Sequence, residues 1–216
     1  MNRVGFICRL GALGLLAVVV GACGNIEARD KEAYPARKVG EAPTHNLDRA
    51  CVGDYKRDVD YFPERTSFSH SAQLSVTYGK SWKRVAFTPT IASGDRMEIL
   101  LVQCGTPIPE HDDGVIVVRV PIARIVTGNR SMLGAADELG VVERLVGMDN
   151  PRAATVPSVK ARVDQGHIVF AGGWTHGNIE STIALQPDVY LTFYSAYPQY
   201  NIHPRLQKLG VKALPQ

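Results

Sequence analysis

The stretch "RIVTGNRSMLGAADELGVVERLVGMD", residues 124–149, decides the fold. Its first four residues end an apolar run that is typical of a buried strand. Apolar residues then recur at the i, i+3, i+4 and i+7 positions of a helix that Gly140 ends: Met132, Ala135, Ala136 and Leu139. Residues 145–148 are apolar again and predict a second strand. A strand, a helix and a strand in succession predict a βαβ unit with parallel strands.

The same alternation continues along the chain. "PSVKARVDQG" predicts a helix ended by Gly166, and "HIVFAGG" predicts an extended segment. Asn178 is a good N-cap for a short helix over 179–185, and "DVYLTF" is another apolar strand. "HPRLQKLG" predicts a last short helix before the final strand "VKAL". We therefore predict an α/β lobe with a parallel, Rossmann-like sheet over 122–216.

A different pattern precedes the lobe. "AQLSVTYG", "KRVAFTP" and "MEILLVQCG" are short alternating runs separated by turn residues, which predicts antiparallel strands joined as hairpins. Residues 93–96, "SGDR", are a plausible hairpin tip. "VIVVRV" is another strand, which Pro121 keeps at an edge or at its end. These patterns predict a short antiparallel β segment over 51–121.

The amino terminus predicts export. Residues 1–9 carry two arginines and residues 10–22 are uncharged and apolar, as in a secretory signal peptide over 1–22. Small residues precede Cys23, which favours lipidation of Cys23 after cleavage; an ordinary signal with an incidental cysteine is the alternative. Residues 23–50 are polar and predict a flexible tether. The predicted location is the cell envelope, on the periplasmic or outer face of the cytoplasmic membrane.

Charge and cysteine content narrow the function classes. The formal net charge is +3, and removal of 1–22 with its two arginines lowers it to +1, which gives no case for a nucleic-acid partner. One of the four cysteines lies in the signal and one is the lipidation site, which leaves Cys51 and Cys104. These two form either a disulfide or two buried thiols. Neither belongs to a CxxC pair, so we expect no metal site.

The candidate binding site lies in the strand-to-helix turns, because ligands of open α/β sheets bind beyond the carboxyl ends of the strands. Three turns are evident: "TGNRS" at 127–131, "GGWTHGN" at 172–178 and "FYSAYPQY" at 193–200. Their glycines permit close backbone approach, and their aromatic rings offer flat apolar faces. The turns contain no obvious reactive group, which predicts recognition of a ligand.

Each prominent side chain in these turns also has a structural interpretation. Arg130 is a hydrogen-bond donor for a ligand or a solvated, salt-bridged surface charge. Trp174 is a ligand platform or a packing side chain, and His176 is a donor or a satisfied loop histidine. Tyr194 stands just past an apolar strand and is equally open to both interpretations. The sequence leaves these alternatives open.

Several strings resemble one known family over about residues 55–216. They are "VQCGTPIPE", "VPIARIVT", "LGAADELGVVERLVGMD", "GNIESTIALQPDVYL" and "HPRLQKLGVKAL", and the string from Asn178 to Val189 is the most specific. They resemble the amino-terminal lobe of the substrate-binding proteins of bacterial ABC importers for iron-siderophore complexes, cobalamin and haem. Those proteins have two lobes joined by a long helix.

The resemblance implies a ligand, partners and site residues. The implied ligand is a metal chelate, a ferric siderophore, cobalamin or haem, with no intrinsic cofactor. The positions implied to contact it are Thr127, Asn129, Arg130, Trp174, Thr175, His176, Tyr194 and Ser195. Glu180 corresponds to a glutamate that docks onto an arginine of the ABC permease. Its alternative role is to complement the helix dipole, because it stands in the first turn of the predicted helix.

The sequence departs from the family in ending after "VKALPQ", where the family continues into a second lobe. We therefore expect the second lobe to be absent and the chain to be truncated. The alternative is a lipid-anchored scaffold whose β segment is the active surface, or a fragment with no transport role. Catalysis is disfavoured because the sequence contains no G-x-S-x-G elbow, Walker loop, H-E-x-x-H or dinucleotide motif.

Overall fold

The computed structural model describes residues 34–37, 42–88, 96–172 and 178–215. In these ranges the chain forms β1 (Ala36–Arg37), β2 (Cys51–Val52), β3 (Leu74–Tyr78), β4 (Trp82–Phe87), β5 (Met97–Gln103), β6 (Ile116–Val120), β7 (Ile125–Thr127), α1 (Met132–Glu138), β8 (Leu145–Met148), α2 (Pro157–Asp164), β9 (Val169–Phe170), α3 (Ile179–Ala184), β10 (Val189–Thr192), α4 (His203–Lys208) and β11 (Ala213–Pro215). None of these helices is long and apolar enough to span a bilayer.

A parallel five-stranded sheet, in the order β11-β10-β7-β8-β9, forms the centre of the lobe. The chain moves outward from β7 through β8 to β9, then returns to pair β10 with the other side of β7. This is the Rossmann strand order, and its direction reverses between β7 and β10. The predicted α/β fold class, with a parallel lobe after a β segment, is confirmed.

Helices cover both faces of this sheet. Strand side chains alternate between the faces, so neighbouring residues of β7 and of β8 join different apolar clusters. The cluster beneath α1 and α2 contains Leu133, Ala136, Val142, Leu145, Met148, Ala154, Val159 and Ile168. The cluster on the opposite face, beneath α3 and α4, contains Val126, Ala171, Tyr190, Ile202, Leu206, Val211 and Ala213. The lobe is therefore a three-layer α/β structure.

The predicted start and end signals of the helices are confirmed. Gly140 and Gly166 follow α1 and α2 with φ of +64° and +77°, the left-handed conformation that glycine adopts without strain. The side chain of Asn178 caps α3 by accepting the backbone N–H of Ser181 at 3.0 Å. Each signal acts locally, which is why the sequence is sufficient to place it.

The segment before the lobe is a four-stranded sheet in the order β3-β4-β5-β6. β3, β4 and β5 pair antiparallel as predicted, whereas β6 pairs parallel with β5. Pro121 directly follows β6 at the edge of this sheet, as expected. Of the predicted hairpin tip at 93–96, all but Arg96 lies outside the described residues. Ile99 and Val118 pack against Val189, which joins this sheet to the lobe.

The described part of the predicted tether lies against the folded body. β1 pairs with β2, the Tyr34 hydroxyl donates to the Ile122 carbonyl at 2.9 Å, and Asn46 bonds Glu64. The structure therefore differs from the prediction of a flexible tether over all of 23–50. A disulfide joins Cys51 of β2 to Cys104, directly after β5. Of the two states that the sequence leaves open, the thiols are thus bonded.

Candidate functional site

A cavity of about 380 Å³ lies where the sheet reverses its strand order. The described residues that line it follow β7, β8 and β10 at their carboxyl ends: Gly128, Asn129, Arg130, Asp149 and Phe193. Open α/β sheets bind their ligands at this crevice. The first and third of the predicted turns therefore meet at one cavity, although not through all of the predicted residues.

The first turn is held by hydrogen bonds of its own side chains. The Thr127 hydroxyl accepts the Asn129 N–H at 3.1 Å and donates to the Asn129 carbonyl at 2.8 Å. The Asn129 side chain in turn accepts the N–H of Ser131 at 3.0 Å. Thr127 is fully buried, so it holds the turn in place from the protein interior. Asn129 lines the cavity while it also starts α1.

Arg130 pairs with a residue that the sequence analysis missed. Its Nε lies 3.6 Å from Asp149 Oδ2, and the side chains of Arg130 and Asp149 are 56% and 12% exposed. Burial raises the pKa of the Asp149 carboxyl, against the lowering effects of the Asn150 backbone N–H and Arg130. Arg130 forms a salt bridge, as its structural interpretation predicted, and it also lines the cavity, where its contact with a ligand stays a prediction. The sequence feature that could have identified Asp149 as a site residue is its position directly after a predicted parallel strand.

Further buried polar groups, which we call the floor, lie next to the residues that line the cavity. Tyr190 and Thr192 of β10 are both fully buried. Within the described part of the chain, the Tyr190 hydroxyl, the Thr192 hydroxyl and Asp149 Oδ1 have no hydrogen-bond partner. Burial, and then the Asp149 carboxylate, raise the pKa of Tyr190 to about 12. Buried polar groups without partners are rare in folded proteins, so such a group needs a specific explanation.

The third turn presents a different aromatic residue from the one predicted. Phe193 lines the cavity, whereas the Tyr194 ring stacks on His203 of α4 with centroids 5.9 Å apart. Ser195 is 8% exposed, and its backbone N–H and carbonyl both bond the Asn201 side chain. The predicted contacts of Tyr194 and Ser195 with ligand are replaced here by contacts that hold the turn. Alternation along β10 continues into the turn and explains the exchange.

The remaining predicted residues are placed as follows. Trp174, Thr175 and His176 of the second turn, and Cys23, lie outside the described residues. Glu180 is exposed on the first turn of α3. No group of three or more metal-ligating side chains occurs in the part of the chain that the structure describes.

Comparison with known proteins shows a limited similarity to solved structures. No protein-family model and no curated protein matches the chain. Among solved structures it is similar to a periplasmic heme-binding protein from Pseudomonas aeruginosa, at 24% identity and a TM-score of 0.32. The match covers 44% of this chain and 31% of that one, so it spans about a third of the similar protein. A likeness at this level carries no argument about activity.

Proposed function

We propose that this chain is a lipid-anchored, substrate-binding component of an ABC importer. It captures a metal chelate, a ferric siderophore, cobalamin or haem, at the outer face of the membrane and delivers it to the permease. The observation that carries the proposal is the cavity at the strand-order reversal, bordered by Gly128, Arg130 and Phe193. The strings that resemble the importer-associated family supply the class of ligand and the partner.

The position of the cavity supports binding. Three parallel strands direct their carboxyl ends at it, so backbone N–H groups and loop side chains converge on one point. Gly128 borders the cavity, and its N–H is already bonded to the Leu191 carbonyl at 2.8 Å. The backbone that forms this edge of the cavity is therefore fixed before any ligand arrives, which lowers the entropic cost of binding.

The side chains at the cavity suit a large chelate. Phe193 is 36% exposed and offers an apolar face, while Arg130 offers a charged donor whose side chain is 56% exposed. Aromatic faces and a few placed polar groups are the usual composition of ligand sites. The two charged groups of the lining, Arg130 and Asp149, pair with each other, which favours a binding role over a catalytic one.

Glu180 supports the proposed partner. It is exposed near the amino-terminal end of α3, where a carboxylate can orient an encounter with an arginine of the permease. The string that contains it carries the resemblance, and Asp188 of that string is structural. The Asp188 carboxylate accepts the backbone N–H groups of Ala123 and Arg124 at 2.8 Å each. Glu180 is thus left at the surface while Asp188 connects β10 to β7.

Calorimetric titration of the full-length chain tests the binding role. The probes are hemin, cobalamin and a ferric trihydroxamate, and we expect saturable binding of at least one. Arg130→Ala should weaken that binding about tenfold, because hydrogen bonds to charged groups contribute about 1.5–3 kcal/mol. Arg57→Ala, at an exposed position before β3, is the matched control and should bind like the wild type. The proposal is wrong if no probe binds, or if the two variants are indistinguishable.

Charge reversal tests the proposed delivery step. Glu180→Lys should abolish co-purification with the cognate permease and chelate uptake by cells, while calorimetric affinity for the chelate stays unchanged. Glu138→Lys, the same change at an exposed position of α1, is the control. If Glu180 acts by complementing the helix dipole, its reversal costs about 0.3–1 kcal/mol of stability and leaves uptake intact. That outcome would favour the scaffold role.

A further inference from the structure

Three buried polar atoms without partners gather at one end of the parallel sheet. They are the hydroxyls of Tyr190 and Thr192 and Oδ1 of Asp149, and the absence of partners is stated for the described residues. Tyr190 and Thr192 are two residues apart on β10, so they face the same side of the sheet. Asp149 follows β8, and its charge acts on the Tyr190 hydroxyl. The Tyr190 hydroxyl and the Asp149 carboxylate are therefore neighbours.

The Tyr190 hydroxyl lies next to the lining of the cavity. A Cβ atom at Gly128 would lie 2.7 Å from the Tyr190 hydroxyl oxygen, so the hydroxyl fills the space beside this glycine. Gly128 and Asp149 both line the cavity. The buried hydroxyl is thus adjacent to two residues of the lining.

The hydrogen-bonding capacity of the floor is unbalanced. An ionised carboxylate is an acceptor with no hydrogen to give, and hydroxyl oxygens can accept as well as donate. Arg130, the cation in the lining, is directed at the other oxygen of Asp149, Oδ2. Asp149 Oδ1 and the two hydroxyl oxygens together offer three acceptors. A nitrogen from outside the protein with two hydrogens would donate to two of these acceptors at once, Asp149 Oδ1 and the Tyr190 hydroxyl oxygen.

We propose that this floor binds a nitrogen with at least two hydrogens, the ammonium or primary amide of the ligand, through Asp149 Oδ1 and the Tyr190 hydroxyl. The proposal rests on the proposed function in taking this nitrogen to be part of a larger chelate. The proposal predicts which class of ligand the cavity binds. Chelates with peripheral amides or an ammonium group bind, whereas a carboxylate placed on the same floor meets the charge of Asp149.

Three small probes of similar size test the floor itself: propylammonium, propionamide and propionate. Each is titrated into the 15N-labelled full-length chain at pH 7, with sodium chloride as the ionic-strength control. We expect saturable shifts of the Gly128 and Asp149 amide resonances with propylammonium and propionamide. Propionate should bind at least tenfold more weakly.

Substitutions distinguish the two nitrogen sources. Asp149→Asn keeps an acceptor oxygen but removes the charge, so it should weaken propylammonium about tenfold and propionamide about threefold or less. Tyr190→Phe should weaken both probes by a similar factor of a few. Asp54→Asn, at an exposed position, should change neither.

The outcomes separate the two proposals. Equal binding of all three probes, no response at Gly128 and Asp149, or a preference for propionate each overturns the proposed nitrogen-binding floor. Probe binding as expected, with no affinity for hemin, cobalamin or ferric trihydroxamate, supports the floor and contradicts the chelate-binding role. Chelate binding that is unaffected by Asp149→Asn and Tyr190→Phe, without the probe response, supports the role and overturns the floor.

Discussion

Tyr190→Phe should stabilise the ligand-free protein. The Tyr190 side chain is fully buried and its hydroxyl has no partner in the described part of the chain. Burying a hydroxyl without a hydrogen bond costs about 1–3 kcal/mol in mutational data. Phenylalanine keeps the ring and its packing against the α3 and α4 cluster while removing the oxygen. We expect a gain of about 1–2 kcal/mol, or about 2–8 °C in Tm for a chain of this size.

Urea unfolding followed by circular dichroism, without added chelate, measures this gain. Tyr61→Phe is a matched control, because Tyr61 is 1% exposed and its hydroxyl accepts the Lys56 N–H at 2.9 Å. That variant should lose about 1 kcal/mol, the usual contribution of a satisfied hydrogen bond. If Tyr190→Phe is destabilised like Tyr61→Phe, the Tyr190 hydroxyl is already satisfied within the free protein and our account of the floor is wrong.

The sign of this effect connects stability with function. A group that weakens the folded protein yet lies beside the proposed binding cavity is retained at a cost to stability, as is common at functional sites. Tyr190→Phe should therefore gain stability and lose ligand affinity together. A variant that gained stability and kept full affinity would leave the buried hydroxyl without an explanation.

Other substitutions test further parts of the structure. Gly128→Ala should cost about 1–3 kcal/mol in urea unfolding, because its Cβ would lie 2.7 Å from the Tyr190 hydroxyl, and Tyr190→Phe should recover part of this loss. Replacing both Cys51 and Cys104 with serine should cost about 4 kcal/mol for a closed loop of 53 residues, against no loss in a chain whose thiols are free. Burial lowers the pKa of His203, so stability should fall as pH drops below about 6.5, where the unfolded chain takes up the proton first. His203→Phe should flatten that fall in thermal melts between pH 7.5 and 5, and an unchanged slope would exclude His203 as its source.

Most of the lobe could be predicted from the sequence because its signals are local. Apolar periodicity placed α1 and β8, and single residues such as Gly140 and Asn178 marked where helices end and begin. The strand-to-helix alternation was sufficient for a parallel sheet. The parallel pairing of β6 with β5 was not anticipated, because strand direction depends on how the connection from 104 to 115 crosses the sheet.

The sequence predicted the location of the candidate site better than the residues that line it. The strand order brings the turns after β7 and β10 together at one cavity, and ligand contact there stays a prediction. Asp149 and Tyr190 were not predicted. The sequence pattern around Asp149 is that of an acidic loop residue, and the pattern around Tyr190 is that of an aromatic core residue. Phe193 lines the cavity in place of Tyr194, since side-chain direction at a strand end depends on one residue of register. Tertiary packing determines which of these side chains faces the cavity.

The most direct test of a ligand site at the strand-order reversal is resonance mapping with a bound ferric chelate. The 15N-labelled full-length chain is titrated with a ferric trihydroxamate that carries an ammonium group, whose paramagnetic iron broadens nearby amide signals. The account predicts broadening centred on Gly128, Arg130, Asp149 and Phe193. Broadening centred on the 340 Å³ cavity between His111 and Lys212, or spread evenly over the surface, would contradict it.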